Sequence, residues 1–411
     1  MGDIGSESSD AKNIVIIGGG IIGVSIAYWL TQHRFYNSSI HSITILEATE
    51  IAGGCSGKAG GLLASWATPS CLAPLSFELH AELAEKYQGD LSWGYRRVHC
   101  ADVTYHTQDK LSVSESVDVP KTLDWINGSG IKDFTEIGKP GNTAQVHPKY
   151  LTSYLLELAR AQGARLIIGS AESINYSLDN RTVDSVNYIQ DGNTKQINAT
   201  DLIIAAGPWS SKLVPRIPVY GVRSHSIVIK PSRSTSPYVL FPIFDPPISK
   251  EFPQYKEKDP MKWKDKETII DNIEIYPRPG HPSSPETIYI CGFNDYPPLP
   301  KTTDQVQIDP NMIADIRNAT SAISPAIESG ELVLAQACCR PQIRKHAEGE
   351  AVGPIVGAVP GVMGLWVATG HDEWGIQNSQ GTGKILAGMI MRDELEGVDV
   401  KALDPRNFLG E

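Results

Sequence analysis

The fold of this chain is constrained most by the stretch NIVIIGGGIIGVSIAYWL at residues 13–30. The apolar run at 14–17 predicts a buried parallel strand, and the apolar spacing after the glycines predicts a helix. Between the two stand Gly18, Gly20 and Gly23 in G-x-G-x-x-G order. A strand, a glycine turn and a helix in this order are typical of a site that binds a dinucleotide.

Each glycine of the motif has its own expected role. Gly18 permits a tight turn, Gly20 leaves room for a pyrophosphate beside the backbone, and Gly23 lets the helix pack close to the strand. The free N–H groups and the positive end of the helix then face the phosphates. A second predicted strand, 42–46, ends at Glu47, about 20 residues past the last glycine, where an acid binds the ribose. The alternative is a glycine turn of only structural use.

Composition argues against several other classes of protein. The 411 residues include 36 basic and 47 acidic side chains, a formal net charge of −11 and no basic run, so we expect no nucleic-acid partner. No apolar stretch has the length of a membrane span. The six cysteines form no C-x-x-C pair and no zinc spacing. We therefore predict no metal site, and reduced thiols in a cytoplasmic protein.

Three further stretches place small residues where a ligand would lie. A loop at 51–66 follows the ribose acid and carries Ser56 and Lys58, a position that favours ligand contact over a merely flexible loop. A predicted strand within 201–207 ends in Ala-Ala-Gly, for which a tight structural turn is the alternative. Another strand, within 365–375, precedes Gly-His-Asp-Glu-Trp-Gly and a helix. Ligands bind at the carboxyl edge of such sheets, so these stretches are expected to meet one ligand.

With these motifs in this order, the chain resembles the FAD-dependent oxidoreductases that include D-amino acid oxidase, glycine oxidase and sarcosine oxidase. The shared segments are VIIGGGIIG, Glu47, the SGKAGG loop, DLIIAAGPWS, Arg340-Pro341 and GLWVATGHDEWG. The resemblance covers about residues 13–391 and is nearest to a fungal branch linked to late-endosome-to-Golgi transport. It implies FAD and an α/β fold, with a Rossmann-like FAD-binding domain of the glutathione-reductase type beside a β-rich substrate domain.

The expected domains are assembled from separated segments. The FAD-binding domain is predicted at 1–70, 145–220 and 335–411, and the substrate domain at 71–144 and 221–334. A polar, proline-rich region at about 232–272 is expected to be a surface excursion. The chain has no second G-x-G-x-x-G, so a separate NADPH domain is not expected. The resemblance adds a peripheral association with late endosomes, and the oligomeric state stays open.

The resemblance also implies which residues contact the cofactor. They belong to the glycine turn, the ribose acid, the small-residue loop and the later strand ends. The predicted FAD-binding residues are Gly18, Gly20, Ile21, Ile22, Gly23, Glu47, Ala48, Ser56, Gly57, Lys58, Ala59, Gly60, Gly61, Leu62, Glu172, Ala206, Gly207, Trp209, Cys338, Gly370, His371, Glu373, Trp374 and Gly375.

The resemblance also implies roles for four residues near the substrate, three of which have alternatives. Arg340 matches a position that often clamps a substrate carboxylate, and a structural ion pair is the alternative. Tyr276 is a weaker candidate for lining the pocket. His371 is a candidate base. Oxidation of a neutral amine needs positioning more than a strong base, so the alternative is that His371 only orients or contacts the ring. Cys338 lies near where some relatives bond the flavin covalently, and a buried structural thiol is the alternative.

The function expected from this pattern is FAD-dependent oxidation of a small amine or amino acid to an imine, with oxygen reoxidising the flavin to give peroxide. One alternative is an FAD dehydrogenase that passes electrons to a quinone or a protein acceptor. The other is a flavin-bearing interaction protein in endosome-to-Golgi traffic, whose support in the sequence is the 232–272 region.

Overall fold

The computed structural model describes residues 11–106, 117–245, 273–344, 353–393 and 397–410. The strands are β1 (Lys12–Ile17), β2 (His41–Glu47), β3 (Leu62–Ala64), β4 (Arg96–Arg97), β5 (His99–His106), β6 (Ile131–Gly138), β7 (Thr143–Gln145), β8 (Arg165–Ile168), β9 (Ser170–Tyr176), β10 (Val183–Gln190), β11 (Asn193–Asn198), β12 (Asp201–Ile204), β13 (Val219–Lys230), β14 (Tyr238–Asp245), β15 (Glu274–Arg278), β16 (Thr287–Asp295), β17 (Glu331–Ile343), β18 (Ile355–Ala358) and β19 (Leu365–Thr369).

The helices are distributed along the chain. They are α1 (Ile21–Thr31), α2 (Cys55–Lys58), α3 (Ala73–Lys86), α4 (Gly89–Trp93), α5 (Pro148–Ala161), α6 (Ser210–Leu213), α7 (Pro310–Ser321), α8 (Pro325–Glu328), α9 (Gly375–Ile390) and α10 (Arg406–Leu409). Short 3₁₀ helices lie at Gly207–Trp209, Thr303–Gln305, Asp372–Trp374 and Lys401–Leu403. None of these described helices has both the length and the apolarity that a membrane crossing requires.

The strand predicted at 14–17 is β1, inside a six-stranded sheet of order β18-β19-β12-β1-β2-β8. Its pairs with β2 and β12 are parallel, and only β18 runs antiparallel to its neighbour. Ile14 and Ile16 pack into one core with α1, α5 and α9, whereas Val15 and Ile17 pack into another with β10. Both faces of β1 are covered, which explains its unbroken apolar run and confirms the predicted α/β fold.

A seven-stranded mixed sheet of order β17-β13-β16-β15-β14-β5-β6 forms the second layer. Strand β14 runs parallel to β5, and the other pairs are antiparallel. One face packs on α7 and α8 through Ile316 and Ile327. The first residue of β13, Val219, and the last of β17, Ile343, belong to the same core as Val15. These two long strands therefore join the second sheet to the first.

The predicted surface excursion at 232–272 is wrong in its first part. Residues 238–245 form β14, which pairs with β5 over its whole length. Tyr238, Val239 and Leu240 are buried, and burial of these apolar side chains outweighs the local turn preference of the neighbouring prolines. Residues 246–272 lie outside the described part of the chain. Strands β13 and β17 cross the predicted domain boundaries, which stay a prediction.

Two buried histidines contact α9. His80 of α3 donates from Nε2 to the Ile376 carbonyl oxygen at 3.0 Å, and His371 contacts Thr382 of α9 through Nε2 at 3.0 Å. Burial lowers the pKa of His80 to about 4 and that of His371 to about 3. Both rings are therefore neutral at neutral pH, because a charge at these positions would lose its hydration.

We predict a loss of stability in mild acid from these rings. An unfolded histidine takes up a proton below about pH 6.5, whereas the folded rings do not until about pH 4 or lower, so unfolding binds up to two protons in that interval. The free energy of unfolding, measured by urea titration, should fall between about pH 6.5 and about pH 4, and these two rings contribute up to about 2.7 kcal/mol per pH unit. A His80→Gln variant, which keeps a donor for Ile376, should lose up to about 1.4 kcal/mol per pH unit of the total slope, to which other histidines with a pKa lowered by burial, such as His147, also contribute. An unchanged slope in that variant would contradict the assignment.

Candidate functional site

A cavity of about 580 Å³ lies between the carboxyl edge of the six-stranded sheet and the face of the seven-stranded sheet. Its walls include the turns that follow β1, β12 and β19, together with side chains of β15 and β17. The volume falls within the range of about 300–1,000 Å³ for cofactor and small-molecule sites. The cavity thus occupies the place where parallel sheets bind their ligands.

At one end of the cavity, the glycine turn brings separate backbone segments into close contact. Gly18 has a φ of +116°, and a Cβ there would lie 2.3 Å from the carbonyl oxygen of Ala205. A Cβ at Gly23 would lie 2.0 Å from the carbonyl oxygen of Gly18. Neither contact is possible for a larger residue, so the sequence assignment of these two glycines to a turn and to close packing agrees with the geometry.

The N-terminus of α1 opens into the cavity. Gly20 is its N-cap, with no capping side chain, and Gly20, Ile21 and Ile22 all line the cavity. The hydroxyl of Ser56 accepts a hydrogen bond from the Ile21 N–H at 2.8 Å. No acid lies in the first turn of the helix, so its positive dipole end favours an anion. These residues fit a pyrophosphate.

Glu47 ends β2 at the same edge. Its carboxylate accepts hydrogen bonds from the Gly19 N–H at 2.7 Å and from the Thr49 N–H at 2.9 Å, and the side chain lines the cavity. The Thr49 hydroxyl donates to the same carboxylate at 3.1 Å. A carboxylate has about four acceptor positions, so these three bonds orient it and leave one for a hydroxyl group. This arrangement fits the ribose role predicted for Glu47.

The small-residue loop connects the glycine turn to the second sheet. The Lys58 ammonium donates to the Ala337 carbonyl oxygen at 3.0 Å, and the Tyr289 hydroxyl donates to the Lys58 carbonyl oxygen at 2.7 Å. Gly60 lies against the ring of Tyr276, where a Cβ would come within 2.6 Å. The loop is therefore held in place by strands β15, β16 and β17 rather than free.

Most of the predicted cofactor residues lie together on the cavity wall. They are Gly18, Gly20, Ile21, Ile22, Glu47, Ser56, Lys58, Ala59, Gly60, Gly61, Leu62, Ala206, Gly207, Trp209, Cys338, His371, Glu373, Trp374 and Gly375. The wall does not include Gly23, Ala48, Gly57, Glu172 or Gly370. Glu172 is exposed on β9 and accepts a hydrogen bond from Ser170 at 3.2 Å. The contacts with FAD themselves stay a prediction.

At the other end of the cavity, Arg340 of β17 is paired with carboxylates of the chain. Its Nη1 donates to Asp372 at 3.1 Å and to Glu373 at 2.7 Å, and its Nε donates to the Ser224 hydroxyl at 2.8 Å. Burial lowers the pKa of Arg340, but Asp372 and Glu373 outweigh burial and hold it above its usual value. The structure thus contains the ion pair that was the alternative to a substrate clamp.

Tyr276 and His371 also line this end. The Tyr276 hydroxyl donates to the carboxylate of Glu274, and its ring centroid lies 5.7 Å from that of Tyr289. His371 is buried and hydrogen-bonded to Thr382, and its low pKa makes it a weak base at neutral pH. Its geometry therefore suits positioning better than proton abstraction.

Sequence reasoning missed Glu274, which begins β15 and faces the cavity. Its carboxylate also accepts from the Cys291 thiol at 3.6 Å. Burial raises the pKa of Glu274, and the nearby Glu373 raises it further. The available signal was a single acid in the apolar alternation IEIYPR, because a strand side chain between two apolar neighbours faces the opposite side from them.

Cys338 lines the cavity beside a second thiol. Cys55 is hydrogen-bonded to Cys338, and its sulfur lies 3.0 Å from the Cys339 carbonyl oxygen. The Cys55 hydrogen bond lowers the pKa of Cys338 against the effect of burial, and the charges of Lys58 and Arg340 contribute. Covalent attachment of flavin stays a prediction. Acid precipitation decides it, because covalent flavin stays yellow in the pellet and dissociable flavin enters the supernatant.

Comparison with known proteins gives the family. The chain matches the FAD dependent oxidoreductase family (DAO) over residues 13–389. The chain is an FAD-dependent oxidoreductase of this family. The predicted resemblance is therefore confirmed, and the cofactor of the family, FAD, is the one that the resemblance implied.

This FAD-dependent oxidoreductase has relatives in fungi and structural neighbours in bacteria. It is 30% identical to an oxidoreductase of Schizosaccharomyces pombe, over 98% of this chain and 100% of the relative. It is 28% identical to the Saccharomyces cerevisiae oxidoreductase TDA3, over 98% and 96%. Glycine oxidase from Geobacillus kaustophilus has a similar fold, with a TM-score of 0.68, 20% identity and coverage of 96% and 98%.

We predict that Glu47→Gln weakens FAD binding by about 10- to 100-fold. The substitution keeps the size of the side chain but removes the charge, and a hydrogen bond to a charged acceptor contributes about 1.5–3 kcal/mol. Titration of the apoprotein with FAD, followed by quenching of flavin fluorescence, measures the effect. Glu50→Gln is the matched control, since Glu50 is exposed and outside the cavity wall. An affinity of the Glu47 variant within about twofold of the wild type would contradict the ribose role.

Proposed function

We propose that this chain uses FAD to oxidise a small amine or amino acid to an imine, with oxygen as the acceptor that reoxidises the flavin and is reduced to peroxide. The substrate loses two electrons and two protons across its C–N bond. One observation carries the proposal: a single cavity is lined by the glycine turn at one end and by buried polar side chains of β15 and β17 at the other. The family supports the redox chemistry.

The residues of the chain supply binding, orientation and exclusion of water. The turn at Gly18 and Gly20 would hold the pyrophosphate and Glu47 the ribose, and FAD bound there would supply the acceptor for a hydride from the substrate. The first residues of α9, Gly375 and Ile376, line the cavity, so the positive end of this helix favours negative charge nearby.

Aromatic side chains exclude water at the polar end. Phe241, Tyr276 and Tyr289 lie in one cluster of the seven-stranded sheet, and Trp374 packs beside it. Trp66 meets Trp374 edge to face, with ring centroids 5.8 Å apart. A site walled in this way strengthens the electrostatic interactions inside it and protects an imine from early hydrolysis. No strong base at His371 is required, because a neutral amine needs mainly to be positioned.

Anaerobic reduction of the flavin tests the proposal. We expect the absorbance of FAD-loaded protein to bleach with at least one member of a panel of primary and secondary amines and amino acids. Dithionite is the control, because it shows that the bound flavin can be reduced at all. If dithionite bleaches the flavin and every amine and amino acid fails, the proposed function is wrong.

Reoxidation distinguishes the two acceptors. Stopped-flow mixing of the substrate-reduced protein with air-saturated buffer should restore the flavin absorbance within seconds and release one peroxide per flavin. Slow reoxidation that a soluble quinone accelerates would favour the dehydrogenase instead. The interaction-protein alternative and the late-endosome association stay predictions, and much of the region that suggested the former, 246–272, lies outside the described residues.

A further inference from the structure

We infer that the substrate is an amine without a carboxylate that enters as its ammonium ion, and that Glu274 binds this ammonium group and takes the proton that the amine must lose before oxidation. This inference rests on the proposed function and narrows it to one substrate class. It reverses the expectation drawn from Arg340, whose position suggested a clamp for a substrate carboxylate.

Arg340 is already paired with two carboxylates of the chain. Asp372 and Glu373 both accept from its Nη1, and Gln342 donates from Nε2 to the other oxygen of Asp372 at 3.1 Å. Asp372 has a φ of +45°, a left-handed conformation that a non-glycine residue adopts only when its surroundings hold it. A substrate carboxylate at this guanidinium would have to share it with two carboxylates that the fold already places there, and their negative charge opposes a third one.

The ionisable side chains at this end of the cavity are mainly acidic. The cationic side chains on the cavity wall are Lys58 and Arg340, whereas the acids are Asp102, Glu274, Asp372 and Glu373, with Glu47 at the far end. Lys58 is held at the Ala337 carbonyl oxygen, and His371 is neutral. The wall therefore carries more acidic than basic side chains. A pocket of this composition attracts a cation and disfavours an anion.

Both hydrogen bonds to the Glu274 carboxylate are made to the same oxygen. The Tyr276 hydroxyl and the Cys291 thiol both donate to Oε2. Among the described residues, none donates to Oε1. Two donors on one oxygen fix the carboxylate, and the other oxygen is left for a ligand in the cavity that Glu274 lines.

Aromatic rings line the cavity together with Glu274. The rings of Tyr276 and Tyr289 lie on the same wall as Glu274, and Phe241 and Trp374 belong to it as well. Aromatic faces attract cations, and an acid combined with aromatic rings is a recognised way to bind an ammonium group with an apolar body. An amino acid would bring a carboxylate to an end of the cavity where the guanidinium of Arg340 is already paired with two acids.

Matched pairs of compounds test the inference, since each amine differs from its amino acid by one carboxylate. We suggest methylamine with glycine, phenethylamine with phenylalanine, and cadaverine with lysine. Binding is measured by equilibrium dialysis against FAD-loaded protein that has been reduced with dithionite, so that no turnover occurs. We expect at least one amine to bind about tenfold or more tightly than its amino acid, a difference of about 1.4 kcal/mol.

Variants separate the role of Glu274 from a general effect of charge. Glu274→Gln should weaken amine binding about tenfold and leave amino-acid binding nearly unchanged, whereas Glu274→Asp, which keeps the charge, should retain part of the preference. Glu331→Gln is the charge-matched control, because Glu331 is exposed and outside the cavity wall. Glu373→Gln releases part of the Arg340 guanidinium and should narrow the gap between amine and amino acid.

The outcomes distinguish the inference from the proposed function. If amino acids bind more tightly than their amines and bleach the flavin, the oxidase stands and the inference is overturned. If amines bind at Glu274 but no compound bleaches the flavin, the amine site stands and the proposed oxidation fails. If no amine binds, or if Glu274→Gln changes binding no more than Glu331→Gln, the inference is overturned.

Discussion

The close approach of α1 to β1 is the constraint on which the rest of the site depends. Gly23 lets the helix lie against the carbonyl oxygen of Gly18, and Gly18 lies against the turn that follows β12. These contacts leave no room for a Cβ, so they fix the start of α1 at the carboxyl edge of the sheet. The helix N-terminus, the Glu47 carboxylate and the ends of β12 and β19 consequently meet at one place.

The second sheet turns this edge into an enclosed site. Strands β13 and β17 begin or end in the core of the six-stranded sheet and continue into the seven-stranded sheet, so both sheets are fixed relative to one another. Arg340 lies near the point of crossing, opposite Val222 in the β13–β17 pair. The segment after β19 returns to the same place and supplies Asp372 and Glu373. The polar end of the cavity is thus assembled from parts of the chain that are distant in sequence.

The sequence predicts the first half of this arrangement well, because its signals are local. The β1 strand, the glycines, α1 and Glu47 follow one another within about 35 residues, and each has a composition that its role requires. The sequence predicts the second half poorly. Strand β14 was not predicted because prolines lie close to it in the sequence. Its conformation is decided by pairing with β5 and by burial. The partners of Arg340 are long-range contacts to residues 372 and 373, and no spacing in the sequence reveals them. Glu274 was missed because one acid in a strand is also typical of a solvent-exposed position.

The most direct measurement of the central claim is the flavin content of the purified protein. The account predicts absorbance bands of flavin, with about one FAD per chain after the protein is supplied with FAD and freed of excess. A crystal structure of that protein should place the pyrophosphate at Gly18 and Gly20. A protein that remains colourless after incubation with FAD, while folded by circular dichroism, would contradict the assignment of the glycine turn as the FAD site.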